Sequence, residues 1–199
     1  MQNQTIVYYN ENAAEFCGDT KNVDMSFCRD KFINLLKTGA KILDVGCGSG
    51  RDAKAFLDMG YQVTAIDASE QICREAEQLL GQTVVCMDFQ SIDFRQKFDG
   101  IWACASLLHV PKQEMNEVLQ KLRIALKEEG VLYASFKYGN GERILRGRFF
   151  NDYNEDLLKE LIEHCHFKII EIFITQDVRE GRNAERWVNV LARKEGRKE

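Results

Sequence analysis

Three glycines at alternate positions, Gly46, Gly48 and Gly50, stand out in the stretch "KILDVGCGSGRDAKAF". Glycine costs roughly 0.5–1 kcal/mol against alanine inside regular structure. Three so close together mark a turn where the backbone bends sharply or touches a partner. Asp44 stands two residues before the first glycine, and a second acid, Asp67, ends the β-branched run "YQVTAID" about 20 residues further on. A carboxylate there can accept two hydrogen bonds from a ribose diol. The dinucleotide fingerprint G-x-G-x-x-G fits imperfectly, because the third glycine comes one residue early and Arg51 takes its place. Glycines and acid by themselves leave a dinucleotide and another nucleoside-bearing ligand both open.

The elements that position these residues follow from periodicity. Runs with strand character are "KILDV", "YQVTAID", "TVVCMDF", "FDGIWACASLL", "VLYASFKYG", "FKIIEIFITQDV" and "ERWVNVLARK". Between them lie helical segments: "RDAKAFLDMG", then "SEQICREAEQLLG" with Ser69 as N-cap, "PKQEMNEVLQKLRIALKEEG" with Pro111 in its first turn, and "NDYNEDLLKELIEHC". The first 40 residues read as two helices, the second closing on Gly39. Strands alternating with helices predict an α/β fold with helices on both faces of a parallel sheet. Only "REGRNA" separates the last two strands, too short for a helical crossover, so they should pair as an antiparallel hairpin. The expectation is a doubly wound, seven-stranded, mostly parallel sheet ending in that hairpin. Ligands bind such sheets beyond the carboxyl ends of the strands, where the glycine turn lies.

Composition narrows the function classes. The chain has 199 residues, 45% of them hydrophobic and 29% charged, which suits one soluble globular domain. A net charge of −4 counts against a protein that binds nucleic acid by neutralising phosphates. The seven cysteines are odd in number and form no C-x-x-C pair, as expected of reduced thiols in the cytoplasm. The start, "MQNQTIVYYNENAAEF", has no basic segment followed by an apolar one, so no signal peptide is expected. No apolar run approaches the roughly 20 residues of a membrane span.

"ILDVGCGSG" followed by "VTAIDAS" resembles the first two motifs of the class I S-adenosylmethionine-dependent methyltransferases. "CMDF", "FDGIWACASLLHV" and "EEGVLYASF" continue the resemblance in order over roughly residues 40–136. Within that class the chain is most similar to small-molecule methyltransferases, in a subgroup labelled tellurite-resistance-related. The resemblance implies one domain over residues 1–199, with a helical lid over 1–39 containing "YYNENAAEF" and a cofactor-binding core over 40–199. It implies S-adenosylmethionine as cofactor. The backbone at Gly46, Cys47 and Gly48 would face its methionine part, with Asp44 holding the amino group. Asp67 would hold the ribose and Ala68 pack on the adenine. Met87 would pack on the adenine face, Asp88 accept from the exocyclic amine, and the Phe89 N–H reach a ring nitrogen. Ala103 would offer its carbonyl to the cofactor's amino group. An acid at Asp44 makes sense for a ligand with an ammonium and no pyrophosphate, which the acid would repel.

His109, directly after the fourth strand, falls near the expected methyl-transfer point, as a positioning residue or general base. Tyr9 could close over the cofactor from the N-terminal segment. Cys47 and Cys104 have no paired histidine and read as packing residues rather than nucleophiles. "EHCHF" has metal-ligand spacing but spans a helix end, so no metal site is expected. In "FKYGNGERILRGRFF", Lys137, Arg143, Arg146 and Arg148 face only Glu142, on what reads as a loop at the mouth of the site. That charge favours an anionic small-molecule acceptor and keeps a tRNA or protein substrate open. A nicotinamide enzyme or a non-catalytic nucleotide-binding module is the remaining class.

Overall fold

The computed structural model describes residues 4–179, 181–182 and 184–196. Three helices open the chain: α1 (Gln4–Glu11), α2 (Ala13–Thr20) and α3 (Ser26–Ile33). The strands β1 (Lys41–Val45), β2 (Gln62–Asp67), β3 (Val85–Cys86), β4 (Phe98–Ala103) and β5 (Leu126–Lys137) follow, separated by α4 (Arg51–Asp58), α5 (Glu70–Leu80) and α6 (Lys112–Ala125). A hairpin of β6 (Gly141–Leu145) and β7 (Arg148–Asp152) leads into α7 (Glu155–His164), β8 (Phe167–Gln176) and β9 (Arg186–Lys194).

Seven strands form one sheet in the order β3-β2-β1-β4-β5-β9-β8. β1 to β5 run parallel, and β9 pairs antiparallel with both β5 and β8. This is the expected doubly wound sheet with its antiparallel C-terminal pair. The strand order reverses at β1, which lies between β2 and β4, so the turns after β1 and β4 flank one crevice.

Pleating sends alternate residues of the central strands into two cores. Leu43, Ile101, Leu132 and Ala134 face one, with α6 and α7. Ile42, Trp102 and Tyr133 face the other, with Phe32 of α3 and Phe56 of α4, and Trp102 stacks on Tyr133 at 3.9 Å between ring centroids. Residues buried on both faces explain why the central strands show no polar alternation. None of the described helices is long and apolar enough to cross a membrane.

Local structure departs from expectation at several places, among them β3, which keeps only two residues of "TVVCMDF", and β4, which ends at Ala103 short of "CASLL". The N-terminal segment forms three helices rather than two, because α1 and α2 break at Asn12. α3 ends at Ile33, well before Gly39, which serves the turn into β1 with φ +71°. α6 ends at Ala125 rather than Gly130: Leu126 pairs with Phe98 of β4, and Glu129 takes φ +62° where that pairing shifts register. The basic segment read as a loop carries the β6–β7 hairpin, turning at Arg146 and Gly147 with φ +51° and +76°.

Candidate active site

The turn after β1 is held by strand β2. The N–H groups of Gly46 and Cys47 both donate to the Ile66 carbonyl at 2.9 Å. Gly46, Gly48 and Gly50 all have positive φ, at +72°, +54° and +78°. At Gly46 a side chain is excluded twice, since a Cβ there would also lie 2.5 Å from the Ser106 Cβ. Asp67 locks this turn to the one after β2: its carboxylate accepts from the Gly48 N–H at 3.1 Å and the Ser69 N–H at 3.0 Å. Burial raises the Asp67 pKa, and these backbone donors partly offset it. Ser69 caps α5, as expected, by accepting from the Ile72 N–H, and its hydroxyl donates to Asn10 of α1 at 2.7 Å.

Two adjoining carboxylates behind the turn have opposite environments. Asp52 is buried but accepts from Arg29 at 2.9 Å, from Arg51 and from the Trp102 indole at 3.1 Å. Burial pushes its pKa up, and Arg51 and Arg29 outweigh that, leaving it below the usual carboxylate value. Asp44 is 2% exposed, and its Oδ2 has no partner among the described residues. Burial, with the Asp52 charge added, pushes its pKa well above the ordinary value.

Two cavities, of about 420 and 370 Å³, meet at a wall that includes Gly46, Gly48, Ala105, Tyr9 and His109. The larger takes in Asp44 and Cys47; the smaller takes in Asp67, Ala68, Asp88 and Phe89. The fold thus gathers ten of the twelve residues picked from sequence. Met87 and Ala103 line neither cavity. Met87 packs against the main core, and Ala103 is fully buried in β4, while Cys104 and Ala105 just after it face the larger cavity. One Asp88 oxygen accepts from the Ser91 N–H at 2.8 Å and so caps a short turn.

Tyr9 and His109 form a hydrogen-bonded pair at the shared wall, Oη to Nε2 at 2.9 Å. The His109 Nδ1 lies 2.6 Å from the Phe149 carbonyl, which can only accept, so Nδ1 carries the proton. Nε2 is then the acceptor, and the Tyr9 hydroxyl donates to it. Burial lowers the His109 pKa to about 4, the Phe149 carbonyl offsetting this only in part and the Arg148 charge adding to it. Burial raises the Tyr9 pKa, with Arg148 opposing. A histidine with a depressed folded-state pKa binds fewer protons than in the unfolded chain between pH 6.5 and about 4. Stability should therefore fall as pH drops through that window, by up to about 3 kcal/mol from this group. Urea titrations of the wild type and His109→Gln across pH 4–7 should show this slope only in the wild type; parallel profiles would contradict it.

Residues 42–130 match a family of proteins described as methyltransferase domains. Over that segment the chain is similar to methyltransferase domains. The ubiquinone biosynthesis O-methyltransferase of Glaesserella parasuis is 30% identical over 122 residues, covering 56% of this chain and 50% of that protein. The chain spans about half the length of the curated relatives it matches. Among solved structures, a Burkholderia thailandensis 1,6-didemethyltoxoflavin-N1-methyltransferase, with 1,6-didemethyltoxoflavin and S-adenosylhomocysteine bound, superposes with a TM-score of 0.79. It is 22% identical, over 96% of this chain and 85% of that one. The [4+2]-cyclase SpnF superposes at 0.72 with 18% identity, over 96% and 93% of the two chains. At these identities the likeness is one of fold, the Rossmann-like class I methyltransferase fold.

Several features of the site had no signal in the sequence. Phe16 of α2 lies over Gly48, and Ser106, whose Oγ is buried without a partner among the described residues, lies over Gly46. The position of Arg51 is visible in the sequence, but its pairing with the adjacent Asp52 is not. Two of the four cations expected to face only Glu142 have other partners. Lys137 contacts Asp177 at 3.0 Å and also Glu185, and Arg143 contacts Asp152 at 2.5 Å. Glu142 itself accepts from the Lys112 N–H.

Proposed function

We propose that this chain transfers a methyl group from S-adenosylmethionine to a small-molecule acceptor. The observation that carries the proposal is Asp44, a buried carboxylate with an unsatisfied oxygen, placed at the glycine turn in the larger cavity. Its environment calls for a cation, and the cofactor's α-ammonium supplies one. Gly46 and Gly48 line both cavities, so their backbone would face the methionine part. Asp67 faces the smaller cavity with its oxygens fixed by backbone donors, as a ribose site requires. Ala68, Asp88 and Phe89 line the same cavity and would surround the adenine, with Met87 supporting them from the core. The lid expected over residues 1–39, of which 1–3 lie outside the described residues, would close through Tyr9 and Phe16, which line both cavities.

S-adenosylmethionine, when bound, supplies an electrophilic sulfonium methyl group. The chain's contribution is alignment and exclusion of water. The Tyr9–His109 pair lies where the two cavities meet, so a hydroxyl acceptor in the larger cavity would meet the Tyr9 oxygen. Tyr9 would take that proton while passing its own to the His109 Nε2. A base with a pKa of about 4 is weak, yet an oxygen gaining a methyl group becomes strongly acidic, so it suffices. Fixing Nε2 as the acceptor is the role of the Phe149 carbonyl.

The test is a thermal shift with S-adenosylhomocysteine, S-adenosylmethionine and NADH. A ligand at about 100 times its Kd stabilises by roughly 2.7 kcal/mol, or on the order of 5–10 °C for a chain of this size. Both sulfur ligands should shift the melting transition and NADH should not. Asp67→Ala should weaken S-adenosylhomocysteine binding by about 1.5–3 kcal/mol, the range for hydrogen bonds to a charged group. No shift with either sulfur ligand, from a protein that melts cooperatively, would reject the proposal. The same assay separates a methyltransferase acting on tRNA or protein, which would bind both ligands, from a nicotinamide enzyme.

A further inference from the structure

The cations around the larger cavity differ in whether the protein neutralises them. Arg51 is paired with Asp52, Lys137 with Asp177 and Glu185, Arg143 with Asp152, and Arg179 with Asp177. Arg148, on β7, lines the same cavity but makes no ion pair among the described residues. It is not a freely solvated surface cation. Its guanidinium carbon lies 4.6 Å from the Tyr8 ring centroid, 5.3 Å from that of Phe150 and 5.9 Å from that of Tyr9. Its Nε is buried with no hydrogen-bond partner among the described residues. Arg146 and Arg182 line the cavity too and make no ion pair among the described residues, but Arg146 is on the exposed hairpin turn and neither is bordered by aromatic rings as Arg148 is.

We propose that Arg148 binds an oxyanion on the methyl acceptor and thereby selects for acceptors that carry one. This rests on the methyltransferase reading above. A guanidinium bordered by rings is weakly hydrated and held in orientation, which suits it to a carboxylate or phosphate group. A partly desolvated cation without a counter-ion is costly, and an anionic ligand removes that cost. The aromatic surround favours a planar acceptor. Its position also matters for the chemistry. Phe149, the next residue on β7, holds His109 through its carbonyl, so one strand fixes both the anion site and the Tyr9–His109 pair. An acceptor anchored at Arg148 would present a neighbouring nucleophile to that pair.

The test uses the full chain saturated with S-adenosylhomocysteine, with benzoate, phenyl phosphate and benzyl alcohol as calorimetric probes. Benzoate or phenyl phosphate should bind the wild type at least about tenfold more tightly than benzyl alcohol. The stronger of the two anions identifies the acceptor's group as carboxylate or phosphate. Arg148→Met should abolish the preference and leave benzyl alcohol unchanged. Arg148→Lys keeps the charge without the planar fork, should retain only part of the preference, and serves if the methionine variant does not fold. Equal binding of charged and neutral probes by the wild type, or an unaltered preference in both variants, would overturn the proposal. So would loss of S-adenosylhomocysteine affinity in either variant, which would assign Arg148 to the cofactor's carboxylate. Failure of the wild type to bind S-adenosylhomocysteine at all would instead reject the methyltransferase reading.

Discussion

Gly46→Ala should destabilise the folded protein by about 2–5 kcal/mol, combining the cost of a left-handed non-glycine residue with that of overpacking. Two separate demands meet at this position. The backbone has φ +72°, and the new Cβ would stand 2.5 Å from the Ser106 Cβ. That atom is bonded to the main chain after β4, so no side-chain rotation moves it away. The turns after β1 and β4 would have to separate, which opens the wall shared by the two cavities. S-adenosylhomocysteine binding should therefore be lost along with stability. Urea unfolding measures the first effect and calorimetry the second. Adding Ser106→Gly should recover the steric share of the loss but not the conformational share. A change below about 1 kcal/mol in the single variant would show that the turn can relax and that glycine is not required there.

Asp44→Asn should act in opposite directions on stability and binding. The folded-state pKa of Asp44 is raised by burial. Its carboxyl group thus favours folding at low pH, and that contribution is lost as pH rises from the unfolded value of about 3.9 through the folded one. Toward neutral pH the ligand-free protein must either keep Asp44 protonated or bury a carboxylate whose Oδ2 has no partner among the described residues, and both are costly. A neutral amide of the same shape relieves that, so the ligand-free variant should melt higher than the wild type near pH 7. The advantage should shrink as pH falls toward 4. S-adenosylhomocysteine retains the α-ammonium, and its affinity should drop by about 1.5–3 kcal/mol. A variant less stable than wild type and equally good at binding would mean that Asp44 is structural. This pairing of gain and loss is what a binding residue held in a costly environment predicts.

The sheet, the glycine turn and the two acids at the ends of β1 and β2 are legible from the residues alone. All of these rest on short-range physics: side-chain period, positive φ, and an acid one or two residues from a turn. The sequence also put His109 and Tyr9 near the site, but their hydrogen bond joins residues 100 positions apart and depends on where α1 packs. The tautomer of His109 follows from packing, because the Phe149 carbonyl arrives on a hairpin in a segment whose sequence reads as a loop. The basic segment shows the same limit most clearly. Lys137, Arg143, Arg146 and Arg148 look alike along the chain, with Glu142 as the one acid among them. In space, Asp177 and Glu185 come to Lys137, and β7 brings Asp152 to Arg143. Arg148 is left among aromatic rings. Charge is written locally, but its neutralisation depends on Coulomb contacts across a few ångströms, and those are set by which strands the fold makes neighbours.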